Sequence, residues 1–265
     1  MGEEKDRIMS QIRRDVMLKT LEKSERLDGR KFDEFRPMSV QRNVITTAEG
    51  SALANIGGTK VLAAVKIDMA TPFPDRPTEG VFISNAELLP TASPNFESGP
   101  PNEDCVELAR VVDRSIRSAE IIDVKSFFVE EGKVLSLFLD LYVIDHLGNY
   151  TDTATLAATA ALMNTKIPKV EDGKIIRGEY SHNLAPKSLP VSVTFNRIGD
   201  HWLADPTRDE EVVLESKITI STTEEHVCTL QKSKGYITRN ELFDNIEIAF
   251  KRGNDIRNIL NSGAD

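Results

Sequence analysis

Cysteine is scarce: Cys105 and Cys228 are the only two in 265 residues. Two thiols make no disulfide framework, and a reduced, cytoplasmic compartment is the simpler expectation. The four histidines, His146, His182, His201 and His226, stand far apart and no cysteine pair accompanies them, so there is no zinc pattern. No apolar run approaches the ~18 residues of a membrane span. The opening MGEEKDRIMSQIRRDV carries acids at once and has no apolar core, unlike a secretory signal peptide. Gly2 is followed by Glu-Glu-Lys-Asp, with no Ser or Thr where a myristoylation signal needs one. The GxxxxGK loop, the GxSxG elbow and the dinucleotide fingerprint are all missing, and Gly57-Gly58-Thr59-Lys60 reads only as a hairpin turn. No cofactor and no bound metal are expected. An excess of positive charge is also lacking. Lys and Arg total 33 against 42 Asp and Glu, giving a net charge of −9 and a pI near 5.1. A general nucleic-acid binder is usually basic, so any such contact must use a local patch or one shared with a partner.

What is present is a globular chain, 40% hydrophobic and 29.5 kDa, large enough for one domain or two fused lobes. Residues 5–23 read as a helix with an apolar stripe of Met9, Ile12 and Val16. A charged loop, 24–37, leads to strands at 40–47, 51–57 and 59–70, with tight turns expected at Gly50 and Gly57-Gly58. Pro-rich loops at 71–80 and 89–101 flank a strand at 80–88. After a turn at Glu131-Gly132, Leu135, Leu137, Leu139, Leu141 and Val143 alternate on one face of a strand. Phe138, Tyr142 and Ile144 make its other face apolar, so it is expected to be central. Asp140 in that strand reads as an edge position or a hydrogen-bonded structural acid. Residues 151–165 form an Ala-rich helix suited to close packing on a sheet. Strands follow at 191–198 and 200–205, then from 210 to 223 and from 226 to 235. Thr238 with Glu241 reads as a capping box opening a last helix of roughly 35 Å that runs to about Leu260. This order of elements predicts an α+β fold with mixed sheets.

The segment Asn102–Arg117, NEDCVELARVVDRSIR, is a predicted helix with Arg110, Arg114 and Arg117 on one face. Glu103 and Asp104 sit in its first turn. The stripe suits a polyanion, whereas the acids oppose a phosphate at the helix start. Spacing alone also fits a salt-bridged face, with Glu107 and Asp113 as partners. Arg30, Arg36 and Arg42 are looser basic candidates, and Arg76 sits on a Pro-rich loop able to reach a nucleic-acid strand. Asp205-Pro-Thr-Arg-Asp-Glu-Glu211 is the one candidate metal or acid–base cluster, with Asp205 closing a strand and Asp209 to Glu211 opening the next. A solvated acidic turn is the plainer reading.

Several segments together resemble the RNase PH family: SERLDGR (24–30), EGSALANIGGTKVLAAVKI (49–67), the helix at 103–117, LDLYVIDHLGNYTDTATLAATAALMNTKIP (139–168) and LADPTRDEE (203–211). The resemblance runs over nearly the whole chain and is closest to the non-catalytic ring subunit of the archaeal exosome. It implies two related βαβα-type lobes, here 31–185 and 186–265, after an N-terminal helix and arm at 1–30. Active members of that family use inorganic phosphate to cleave RNA from its 3′ end. They carry an arginine pair where this chain has Glu103 and Asp104, and a Gly-Ser/Thr loop where it has Asp145-His-Leu-Gly-Asn149. Asp205 matches the first catalytic aspartate, and Glu211 lies near the second with one extra methylene. The resemblance therefore implies a degenerate site with no catalytic residues, in a chain that alternates with a catalytic homologue in a hexameric ring of three heterodimers. RNA-binding cap subunits of OB and KH type would sit on one face. Arg110, Arg114 and Arg117 would grip single-stranded RNA, and no membrane is involved. The competing expectation is an active phosphorolytic enzyme using Asp205 and Glu211 with another arginine, such as Arg208.

Overall fold

The computed structural model describes residues 13–262. In chain order the elements are helix α1 (residues 13–21), strands β1 (Met38–Arg42), β2 (Gly50–Ile56), β3 (Thr59–Ala70) and β4 (Val81–Leu88), helix α2 (Glu103–Ser118), β5 (Phe128–Glu130), β6 (Lys133–Asp145), α3 (Tyr150–Met163), β7 (Lys166–Glu171), β8 (Lys174–Asn183), β9 (Val191–Ile198), β10 (His201–Ala204), α4 (Arg208–Val213), β11 (Ser216–Thr222), β12 (Val227–Lys234) and α5 (Arg239–Asn261). A first sheet has the order β1-β2-β3-β6-β4, with β5 appended to β6. It is mixed: β4 runs parallel to β6, and the connection between them carries α2, as a parallel pair requires. The second sheet, β10-β9-β11-β12, is wholly antiparallel. The fold is thus α+β, with helices packed on two sheets.

β6 is central, as its two apolar faces predict, and Asp140 accepts from Asn85 Nδ2 at 3.1 Å. α3 is the middle of the molecule. Every residue from Thr151 to Leu162 is buried, which explains its small side chains and the lack of a polar face. It packs on β2 and β3 from one side and on β9 from the other. A run of hydroxyls stitches the layers. Ser192 Oγ donates to Thr155 Oγ1 at 2.9 Å and lies 2.8 Å from Ser221 Oγ, which accepts from Ser115 Oγ at 2.8 Å. These bonds join α3, β9, β11 and α2. α5 covers the opposite face of β9 and β11, burying Ala249, Ile256 and Leu260, and the predicted Thr238–Glu241 capping box is formed.

Three local expectations change. Val16 is 51% exposed, and Met17 and Leu21 instead bury α1 against Ile198, Leu203 and Val213. Met9 and Ile12 lie outside the described residues. Residues 208–213 form α4 rather than the start of a strand, because Thr207 and Glu210 make a reciprocal capping box that fixes a helical turn. Gly50 begins β2 rather than making a turn. A Cβ there would sit 2.6 Å from the Ala161 carbonyl oxygen and 2.9 Å from Thr165 Cα, so glycine lets the end of α3 approach the strand. The β7–β8 hairpin, turning at Asp172-Gly173 with both φ positive, has no counterpart in the sequence reading, although Asp-Gly is a strong hairpin signal.

Gly50→Ala is expected to lower stability by about 1–3 kcal/mol through overpacking against backbone, read as a lower denaturant midpoint with an unchanged m-value.

Candidate functional site: an internally filled anion pocket and a basic helix face

β6 delivers the chain into a tight turn, 146–149, that opens α3. Asn149 is its N-cap in the left-handed conformation, φ 56°. Free amides at a helix start normally attract anions. In the turn leading into α3, three amides, the last of them that of the N-cap, already have protein acceptors. Leu147 N donates to Thr59 Oγ1 at 3.0 Å, Gly148 N to His146 Nδ1 at 3.3 Å, and Asn149 N to Glu211 Oε1 at 3.0 Å. The carbonyls are engaged as well: Arg36 donates to Leu147 O at 2.8 Å and to Gly148 O at 3.1 Å. Gly148, at φ +98°, lies under α4 so closely that a Cβ would meet Thr207 C at 2.4 Å.

Glu211 reaches this turn because α4 is short and firmly capped. Burial pushes its carboxyl upward in pKa, against the pull of nearby Lys217 and the Asn149 amide. His146 Nε2 is 3.7 Å from Glu211, and its ring stacks on Phe96 and meets Tyr150 edge-on. Burial, with Arg208, Lys217 and Arg36 nearby, lowers its pKa to about 4, so it is neutral at pH 7. It is an aromatic wall and an acceptor, not a cation.

Asp205 is fully buried and accepts five hydrogen bonds. Oδ1 takes Arg36 Nη2 at 2.7 Å and Asn149 Nδ2 at 2.8 Å. Oδ2 takes Arg36 N at 2.9 Å, Arg36 Nε at 2.8 Å and Arg30 Nη1 at 2.9 Å. Burial alone would raise its pKa, but the bonds and charge of Arg36 outweigh that and hold it below the usual carboxylate range. Beside it, Arg26 forms a fully buried pair with Glu210 and donates to the Ala204 and Asp205 carbonyls. Asn149 also donates to Asp152, whose carboxyl burial pushes up to about 7. These contacts replace the reading of Asp205 and Glu211 as a shared acid–base pair. One is an ion-pair hub and the other a helix-start anion. Among the described residues, no group of His, Cys, Asp or Glu is set to hold a metal. Arg30 and Arg36, loose candidates in sequence, prove central. Only the distance in sequence hid them, since 169 positions separate Arg36 from Asp205.

α2 divides two cavities. One, of about 270 Å³, is lined by Asp104, Glu107, Tyr150, Glu211, Lys217 and Lys234 among others. Three carboxylates meet there, and Arg208 opens instead on a separate cavity with Arg30 and Arg36. The other, an open groove of about 460 Å³, carries Glu103, Arg110 and Arg114. Arg114 donates to Gln231 Oε1 at 2.6 Å, and Arg110 has no ion-pair partner among the described residues. Arg117 differs. It pairs with Asp113 at 2.8 Å, donates to Phe82 O at 2.6 Å and lies 5.0 Å over the Phe82 ring. Arg42 is drawn to the Leu260 carbonyl at the end of α5.

Residues 34–168 match the model of domain 1 of the 3′ exoribonuclease family RNase PH, and residues 188–252 match domain 2. The chain belongs to the RNase PH family. It is 44% identical over 260 residues to exosome complex component Rrp42 of Thermococcus gammatolerans, covering 96% of this chain and 95% of that one. It is 47% identical over 241 residues to Rrp42 of Archaeoglobus fulgidus, covering 90% and 92%. In structure it is similar to a chain of the Archaeoglobus fulgidus exosome with RNA bound to the active site, with a TM-score of 0.85, 43% identity, and 95% and 98% of the two chains covered.

Asp205→Asn is expected to cost about 3–5 kcal/mol, because it leaves buried arginines uncompensated. The wild-type carboxylate's depressed pKa means that its contribution is full above the unfolded value of 3.8 and is lost as pH falls through the folded value. The wild-type minus variant stability difference should therefore shrink only below about pH 3.8, measured by denaturation across pH.

Proposed function

We propose that this chain is a non-catalytic ring subunit of an exosome of the archaeal type. It completes the phosphorolytic 3′-to-5′ exoribonuclease of a catalytic homologue and contributes to the RNA path. One observation carries the non-catalytic reading: the Glu211 carboxylate accepts the Asn149 amide at the start of α3, where the attacking phosphate would need to bind. A phosphate there would have to displace a carboxylate that the protein supplies itself. Glu103 and Asp104 add like charge at the start of α2, where active relatives need arginines. Asp205, tied to Arg30 and Arg36, is no free base.

RNA contact belongs to the exposed face of α2. Arg110 and Arg114 lie in an open groove with guanidinium donors available for backbone phosphates. Arg117 extends the same face, although its partners Asp113 and Phe82 already hold it. In this reading three copies alternate with three catalytic homologues, OB- and KH-type caps feed RNA from one side, and the complex is cytoplasmic. The lobes bounded at 31–185 and 186–265 act as one building block, with residues 1–30 as an arm.

The test is phosphate-dependent release of nucleoside diphosphates from single-stranded RNA, run with this chain alone, the catalytic homologue alone, and the mixture. Activity confined to samples containing the homologue, and greatest in the mixture, is expected. Release by this chain alone would overturn the proposal.

A further inference from the structure

Asp152, in the first turn of α3, is a buried acid that no cation answers. It accepts three hydrogen bonds. Oδ1 takes Thr194 Oγ1 at 2.7 Å, and Oδ2 takes Thr194 N and Asn149 Nδ2, both at 2.8 Å. Among the described residues it enters no ion pair, because the cations around it are committed elsewhere. From the arm at 24–37, Arg26 pairs with Glu210, and Arg30 and Arg36 pair with Asp205. From β11, Lys217 lies over the Tyr150 ring and 4.0 Å from Glu211. Arg208 of α4 opens on another cavity, and His146 is neutral at pH 7. One anion is adjacent: Asp205 accepts from the same nitrogen, Asn149 Nδ2, at 2.8 Å. Glu211 holds the Asn149 amide, and Asp104 and Glu107 of α2 face the neighbouring cavity. A buried carboxyl among anions, with no cation of its own, favours its neutral form.

The acid also has a route to the surface. Thr194 Oγ1 lies 2.8 Å from Thr219 Oγ1, and either hydroxyl can be the donor. Thr219, on β11, lines the cavity of about 270 Å³ beside α2. Two hydroxyls therefore join Asp152 to the cavity wall.

We infer that Asp152 is a proton-binding site, filled from that cavity through Thr219 and Thr194. With Asp152 ionised, Thr219 donates to Thr194 and Thr194 donates to Oδ1. An incoming proton bonds to Thr219 Oγ1, the former Thr219 hydrogen passes to Thr194, and the former Thr194 hydrogen passes to Oδ1. The net change is one proton gained by the carboxylate. Asp152 then donates to Thr194 and Thr194 to Thr219, so the chain of hydroxyls has reversed while the heavy atoms stay in place. Burial, helped by Asp205 and opposed by the Thr194 and Asn149 bonds, raises the Asp152 carboxyl to about 7, so the site fills as pH drops through neutrality. This inference is independent of the ring-subunit reading.

The test follows the Asp152 carboxyl carbon by ¹³C NMR in the full chain from about pH 4 to about pH 9, assigned by its loss in Asp152→Asn. A midpoint near 7 is expected in the wild type. Thr219→Val should lower it, because the neutral acid's hydroxyl chain then ends on a donor with no acceptor. Denaturation gives a second reading. A raised carboxyl loses stability as pH rises from its unfolded value of 3.8 toward 7. Asp152→Asn, shaped like the neutral acid, lacks that loss. Relative to the variant, the wild-type unfolding constant should rise up to about tenfold per pH unit around pH 5 to 6 and level off above about pH 7. His146 acts with the opposite sign over this range, but it is present in both proteins. An Asp152 midpoint below about pH 5, or a wild type-to-variant ratio constant with pH, would overturn the inference. So would a Thr219→Val midpoint equal to that of the wild type, since Thr219 would then take no part.

Discussion

The buried carboxylate of Asp205 is the constraint around which the rest of the site is arranged. It cannot remain charged in the interior without donors, and it has five, from Arg36, Arg30 and Asn149. The donors come from two places. The arginines bring the arm at 24–37 down onto the second sheet, and Asn149 brings the start of α3. The same Arg36 guanidinium then reaches the Leu147 and Gly148 carbonyls, so the turn before α3 is locked by the ion pair that neutralises Asp205. Arg26 and Glu210 repeat the device one layer over, fixing α4. Once α4 is fixed, Glu211 has a defined reach, and it lies against the Asn149 amide. Asp205, Glu210 and Glu211 are thus committed to holding the fold together.

The electrostatics follow from that commitment. Carboxylates from α2 and α4 converge on one cavity, where Asp104, Glu107 and Glu211 face two lysines. Such a cavity repels phosphate. The cations that would have answered it are turned inward on Asp205 or displayed on the outer face of α2. On the outer face of α2, Arg110 and Arg114 share their groove with Glu103 and Glu107.

Much of this was legible in sequence. β3 and β9 occur at their predicted bounds, and the Thr238–Glu241 capping box is formed, because alternation and capping are local signals. The turn from Asp145 to Asn149 was visible before the Ala-rich helix. Its carboxylate partner was not, because Glu211 acts across 62 positions of chain. Arg30 and Arg36 looked like surface charge for the same reason. The helical turn of α4 was hidden by a run, EEVVLESKITISTT, whose β-branched residues favour a strand. The reciprocal capping box of Thr207 and Glu210 overrode that preference. Val16 and Met17 are adjacent, and choosing the wrong one rotated α1 by a single residue, about 100°.

At the start of α3 the protein's own Glu211 carboxylate accepts the Asn149 amide. The most direct measurement is the ¹⁵N–¹H resonance of Asn149 during a titration with inorganic phosphate at neutral pH. With Glu211 in place the resonance should not move, and Glu211→Ala should make it respond. A saturable shift of Asn149 in the unaltered chain would mean that phosphate binds there after all, and would contradict the account.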